Sequence, residues 1–292
     1  MGRQHHRRSG ASANRRAFTA TGTGSDRSPD APLEPSSSKL LHNWVMPLAT
    51  GLICRVVVTA ALLIVCVVGI LLYPEPLYGY HVDQGRLRLY SDRSFDADKG
   101  RALLIDVERR LQAAPVELRD PVSVYRIFVT NAEWRRRLVF LWVYGAGGVN
   151  YYPIAHSVFL RQGDVNTDRL FQTDGAPVAA PRTLSYFAAH EIGHSLIGKR
   201  TGAVANWRLP AWIREGMADY IAFGGDVDIP ALTKELLEGH RELDPKRSGF
   251  YARYRLAVAY LLTRERWSVD KVFRTQQPST EVEQRLVGAS PQ

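Results

Sequence analysis

The stretch His190-Glu191-Ile192-Gly193-His194, followed by Trp212-Ile213-Arg214-Glu215-Gly216-Met217-Ala218-Asp219-Tyr220, decides how this chain is read. Residues four apart on a helix lie on one face about one turn apart. The two imidazoles can therefore close on a single metal ion while Glu191 points at the coordination position left open. A helix over 184–199 fits this: Thr183 is a candidate N-cap, Pro181 is a breaker just before it, and Gly202 is a stop just after it. Leu184, Phe187, Ala188, Ile192 and Leu196 recur at helical spacing, so the face carrying them should pack against the body of a domain.

A catalytic zinc takes three protein ligands and keeps a fourth position for water. The composition of 210–220 suits a second helix beside the first, with Pro210 in its first turn and Gly216, Ala218 and Ala222 small enough for close contact. Glu215 is the expected third ligand after His190 and His194, and Zn2+ the expected cofactor. Asp219 comes one turn later on the same face. There its carboxylate is placed to accept a proton from the far ring nitrogen of one histidine, which would fix the tautomer and make the imidazole a better ligand.

The two motifs together resemble the gluzincin metallopeptidases, the thermolysin-like and aminopeptidase-like group whose third ligand is a downstream Glu. The Trp-aliphatic-x-Glu-Gly-x-Ala-x-Tyr run is similar to the aminopeptidase branch, whereas Glu215 with Asp219 four residues later resembles thermolysin. The likeness covers 183–220 and, more loosely, the last two-thirds of the chain, in the manner of compact peptidase MA-like domains. It implies an α+β class: a zincin-like domain with a small β-sheet, an active-site helix pair and C-terminal helices. It also implies a peptide or protein substrate and a general-base role for Glu191. Gluzincins use a downstream Tyr or His to stabilise the oxyanion, for which Tyr251, Tyr254 and His240 are the candidates. They also pair extended substrate with a strand edging the cleft, which the resemblance places at 154–160, with Ile154, Ala155, His156, Ser157 and Val158 as the binding edge. No Gly-x-Met-Glu-Asn-type exopeptidase signature precedes Pro181, which favours endopeptidase action. A metal-binding scaffold without turnover and a zinc hydrolase of another amide bond are the alternative readings.

The N-terminal part has a different composition. Gly, Ser, Ala, Thr, Pro and Arg dominate 1–43, which lacks the apolar content for a core and is expected to be a disordered basic tail. Residues 56–73, VVVTAALLIVCVVGILLY, carry no charge, and Trp44 and Tyr73 suit the two interfaces, so 44–73 reads as a transmembrane signal anchor in contact with lipid. No small-x-small cleavage site stands at its end. Eight Lys/Arg precede or open the span (Arg3, Arg7, Arg8, Arg15, Arg16, Arg27, Lys39 and Arg55) against three acids, which places the N-terminus in the cytoplasm and the domain outside. That excess accounts for five of the nine net positive charges, so the basic balance reflects topology and argues against a nucleic-acid partner. Both cysteines, Cys54 and Cys66, fall in or beside the span, which leaves the outer domain without a disulfide.

Beyond the anchor, 74–274 is expected to form the domain and 275–292 a flexible tail. Short strands are expected over 81–83 and 86–90, a helix over 96–114, a strand over 122–129 that alternates at period two, and a helix capped by Asn131 running to Trp142. The glycines of 145–148 show neither P-loop nor GxGxxG spacing and read as a flexible turn. Helices are expected over 230–240, 249–264 and 267–273.

Overall fold

The computed structural model describes residues 37–244, 248 and 250–289, with side chains from Gly51 onward except that of Trp142. Two compact units divide the chain, Met1–Val58 and Thr59–Gln292. Of the tail expected over 1–43, residues 1–36 lie outside the described residues and 37–43 are already helical. Helix α1 (Ser37–Leu72) contains the apolar stretch Gly51–Leu72, 22 residues with mean hydropathy 2.8. At 1.5 Å per residue that stretch is about 33 Å long, against about 30 Å of bilayer hydrocarbon. Leu52, Ile53, Val56, Val57, Leu63 and Val65 are all more than half exposed, and the stretch is long and apolar enough to cross a membrane.

The second unit is α+β. Strands β1 (Tyr80–Gln84) and β2 (Leu87–Ser91) form a hairpin turned at Gly85, whose φ of 56° lies in the left-handed region that glycine enters without steric cost. Helix α2 (Ala97–Gln112) starts at Asp96, whose side chain accepts from the Asp98 N–H at 2.8 Å, and it buries Leu103, Leu104, Val107 and Leu111 along one face. Then come β3 (Tyr125–Val129), α3 (Glu133–Phe140), β4 (Gly148–Asn150) and β5 (Ser157–Leu160). The sheet order is β1-β2-β3-β5-β4, with β2, β3 and β5 parallel and the two outer strands antiparallel to their neighbours.

A two-stranded ribbon, β6 (Gly163–Asp164) with β7 (Arg169–Leu170), leads into α4 (Leu184–Thr201). The rest is helical: α5 (Ala203–Arg208), α6 (Ala211–Ala222), α7 (Ile229–Leu237), α8 (Ala252–Ala259) with a π-turn over Tyr260–Arg264, α9 (Val269–Arg274) and α10 (Ser279–Gly288).

Period-two alternation divides the sheet between two cores. Tyr125, Ile127 and Val129 of β3 and Val158 and Leu160 of β5 enter the large core shared with α2, α4, α6 and α8. Phe128 and Phe159 point the other way, into a smaller core with Tyr78, Val139, Phe140 and Leu71. Leu71 belongs to the last turn of α1, so that turn is part of the domain. Arg126 of β3 fastens it, donating from Nη2 to the Leu72 carbonyl at 3.1 Å and pairing with Glu75.

Three sequence expectations are corrected. The segment 154–160 is not an edge strand: Ile154, Ala155 and His156 lie in turns, and Ser157 and Val158 belong to β5, which is enclosed between β3 and β4. The order of strands in a sheet depends on crossovers that local pattern does not encode, and the edges are β1 and β4. Asn131 does not cap α3. Its Oδ1 accepts from the Gly163 N–H at 3.1 Å, and Asp92 takes the N–H groups of Asn131 and Ala132 instead. The tail expected over 275–292 contains α10, where Val282 and Leu286, four apart, are buried and Glu283 pairs with Arg253 at 2.5 Å. Buried Val282 and Leu286, with a second ion pair from Arg285 to Glu265 at 2.8 Å, hold a segment whose average composition is polar.

Asp120 ties the start of β3 to the last turn of α4. It accepts from Lys199 Nζ at 2.5 Å, the Tyr125 hydroxyl at 2.9 Å and the Ser123 N–H at 3.0 Å. Burial alone would raise its carboxyl, but these donors outweigh burial and hold it well below the usual carboxylate range. A carboxyl depressed on folding stabilises the fold above its unfolded value of about 3.9 and loses that contribution as pH falls through its folded value. Asp120→Asn should therefore lower the Tm of the detergent-solubilised protein by a constant amount from about pH 5 to about pH 8, with the difference shrinking below about pH 3.9. A difference that stays constant into acid would assign the loss to packing.

Candidate metal centre

Helix α4 is rigid where its histidines sit. Thr183 caps it, accepting from the Tyr186 N–H at 3.2 Å, and Ser185 Oγ of the first turn lies within hydrogen-bonding distance of both Asp106 of α2 and Asp168, at 2.8 and 2.7 Å. Gly202, at φ 82°, ends it. Between these ends only small residues let the neighbouring helix approach. A Cβ on Gly193 would stand 3.2 Å from Cα of Ala218 in α6, and one on Gly216 would stand 2.6 Å from the Tyr254 carbonyl in α8. Thus α6 is pressed between α4 and α8.

This packing aims Glu215 at the histidine pair. Glu215 Oε2 lies 3.5 Å from His190 Nε2 and 3.4 Å from His194 Nε2. Two ligands held about 2.0–2.1 Å from one ion at the tetrahedral angle stand about 3.3–3.4 Å apart, so Glu215 stands from each histidine at the spacing of two ligands on one metal ion. His190, Glu191 and His194 also form a group whose ligand atoms lie within 4.8 Å of one another, which offers Glu191 as a competing ligand. Glu215 fits better, because one of its oxygens meets both Nε2 atoms at ligand spacing.

The two carboxylates are pushed in opposite directions. Burial would raise Glu215, but His194 and His190 outweigh it and hold its carboxyl well below the usual range. Burial raises Glu191, and the two histidines only partly offset this. A carboxylate held ionised suits a ligand, and one raised toward neutral pH suits proton transfer.

Glu191 is positioned by β4. A Cβ on Gly148 would come within 2.6 Å of Glu191 Cγ, and Gly147 packs on Phe187 in the same way. Asn150 at the end of the strand donates to the Glu191 carbonyl at 3.0 Å and to Ser195 Oγ at 2.7 Å. The glycines read from sequence as a flexible turn are there because the strand passes directly over α4. Their position immediately before a strand was the available signal. Gly147, Gly148, Asn150, Tyr152 and Pro153 line the cleft of about 980 Å3 into which His190, Glu191, His194 and Glu215 open.

Asp219 is fully buried, with Oδ1 3.9 Å from His190 Nδ1, outside hydrogen-bonding distance. The Tyr186 hydroxyl donates to that oxygen instead, and Arg255 Nη1 of α8 stands 3.5 Å from Oδ2. The Arg255 guanidinium lies over the Phe223 ring at 3.4 Å and is only 7 % exposed. Tyr186 and Arg255 were not singled out from sequence, where an Arg on a helix reads as surface.

The three candidate oxyanion donors separate. Tyr251 lines the cleft with its ring stacked on His190, centroids 5.9 Å apart at 10°. Burial, then Glu215 and Glu191, push its hydroxyl up to about 12, so it remains a donor at neutral pH. Tyr254 stacks behind Tyr251 and does not line the cleft. His240 is half-exposed, paired with Glu238 at 3.1 Å and outside the cleft lining.

No protein-family model matches the chain, and no curated protein matches it in sequence.

The Asp219–Arg255 pair yields a stability prediction. Removing one partner of a buried ion pair leaves a charge uncompensated, at a cost of about 3–5 kcal/mol. Arg255→Met, which retains much of the volume, should lower Tm accordingly, and Arg255→Met with Asp219→Asn should recover part of the loss in thermal unfolding. Additive losses in the double variant would mean that the two side chains do not interact.

Proposed function

We propose that this chain is a membrane-anchored zinc metallopeptidase of the gluzincin type, with a zincin-like domain that hydrolyses peptide bonds on the extracytoplasmic side. The observation that carries the reading is the convergence of His190 Nε2, His194 Nε2 and Glu215 Oε2 at ligand spacing, with Glu191 held beside them by Gly148.

Zinc, when bound by these three residues, would supply a Lewis acid that lowers the pKa of water from about 15.7 toward 7. The chain's own residues do the rest. Glu191, its carboxyl raised by burial, takes the proton of the attacking water and delivers it to the leaving amine nitrogen. The Tyr251 hydroxyl, protonated at neutral pH, donates to the carbonyl oxygen as it gains charge. The outer edge of β4 offers backbone groups to an extended peptide, which replaces 154–158 as the binding edge. The apolar stretch Gly51–Leu72 and the basic excess before it support an uncleaved anchor with the N-terminus inside.

The zinc assignment is tested by metal analysis of the full-length protein: His194→Ala and Glu215→Ala should each lose bound zinc, because two ligands hold a catalytic ion poorly. Unchanged zinc in both would overturn the ligand set. Glu191→Gln should keep zinc and lose turnover by about 100- to 10,000-fold, with Gly148→Ala acting in the same direction by displacing the carboxylate. Full activity in Glu191→Gln would refute the mechanism. A wild-type protein that binds zinc and cleaves nothing across a complex peptide library would favour a scaffold.

The topology has its own test. Protease added to intact cells should digest the domain beyond residue 74 and spare an N-terminal tag. Protection of the domain would reverse the orientation.

A further inference from the structure

The cleft runs along α4, and its two ends differ in chemistry. At one end Phe187 packs on Gly147, and across the ladder the Arg161 N–H donates to the Gly147 carbonyl at 3.0 Å. The Arg161 guanidinium lines the cleft there. Its Nη1 donates to the Gly145 carbonyl at 2.9 Å, and its buried Nε has no hydrogen-bond partner. Among the described residues no carboxylate stands within ion-pair distance of it, and Asp174 acts on it only through space. Elsewhere along the lining Arg214 pairs with Glu215 at 3.2 Å, and Glu242 pairs with Arg182 behind it at 3.2 Å.

At the other end Tyr152 packs on Gly198, and α5, beyond the Gly202 cap, brings Trp207 to the cleft mouth with 79 % of its surface exposed. From Phe187 to Gly202 is fifteen residues (202 minus 187), about 22 Å at 1.5 Å per residue, with His190, Glu191 and His194 between. An extended peptide covers that length in about six or seven residues.

A guanidinium with no carboxylate partner at one end favours an anionic side chain. A bare indole at the other favours apolar surface. Resting on the peptidase reading, we propose that the cleft selects its substrate at both ends, by an acidic side chain against Arg161 and an apolar side chain against Trp207, with the scissile bond between them. The substrate class is then an extended segment that carries Asp or Glu on one side of the cleaved bond and an aliphatic or aromatic residue on the other.

The test uses the full-length protein in detergent micelles, loaded with zinc, and eight-residue peptides that vary the charge on one side of the bond and the apolar residue on the other. A parallel arm measures binding of the same labelled peptides to the metal-stripped protein by fluorescence polarisation. Wild type should prefer acidic over lysine-bearing peptides in kcat/KM and in affinity by about tenfold. Arg161→Glu should reverse that order and Arg161→Gln should flatten it, while Trp207→Ala should weaken the apolar preference and leave the charge preference in place. Zinc content equal to wild type verifies that each variant is folded. A charge preference that survives Arg161→Glu, or peptides cleaved and bound without regard to charge, would overturn the inference while leaving the peptidase reading intact. Acid-selective binding that depends on Arg161, with no cleavage of any peptide, would support the inference about the cleft and sink the peptidase reading.

Discussion

The contact between α4 and α6 at Gly193 sets the distance from the histidine pair to Glu215, and most of the site depends on that separation. A Cβ there would meet the Ala218 backbone at 3.2 Å, so any larger residue would push α6 outward and carry the Glu215 oxygen away from both Nε2 atoms. The same economy recurs on the far side of α6, where Gly216 lies against the Tyr254 carbonyl. Helices packed through glycine come closer than the usual 8–10 Å between axes allows for larger side chains. Three donors on two helices can then meet at one point without strain in either helix.

Electrostatics completes what packing begins. Two carboxylates share the cleft yet are driven apart, Glu215 downward by the histidines and Glu191 upward by burial, so each is suited to a different task. Behind them Asp219 is a third, wholly enclosed carboxylate, matched by Tyr186 and Arg255. Because those partners occupy it, Asp219 approaches His190 without bonding to it. The carboxylate behind the imidazole is thus held by a network rooted in α8, which does not reach the ring itself.

Much of this was legible in the sequence, and the rest was hidden for identifiable reasons. Thr183 and Asp96 announced their helices because capping is local chemistry. The alternation in β3 showed a half-buried strand because period two is imposed by the pleat. The histidines, Glu191, Glu215 and Asp219 stood out through spacing alone. The edge strand did not, because three residues beginning with glycine carry almost no strand signal and sheet order is a long-range property. Arg255 and Tyr186 stayed hidden because their partner comes from another helix. Helix α10 was masked by the polar residues around Val282, Leu286 and Val287.

The seat of Leu71 has a practical side. The smaller core under Phe128 and Phe159 includes the final turn of α1, and Arg126 binds that turn's last carbonyl. A cut at the proline-rich segment after Tyr73, the obvious place to separate the domain from α1, would therefore strip a wall from a folded core and leave aromatic surface open to water. Solubility would be lost where it was sought. Release of this domain from α1 by a processing protease meets the same obstacle, since it requires giving up part of the interior.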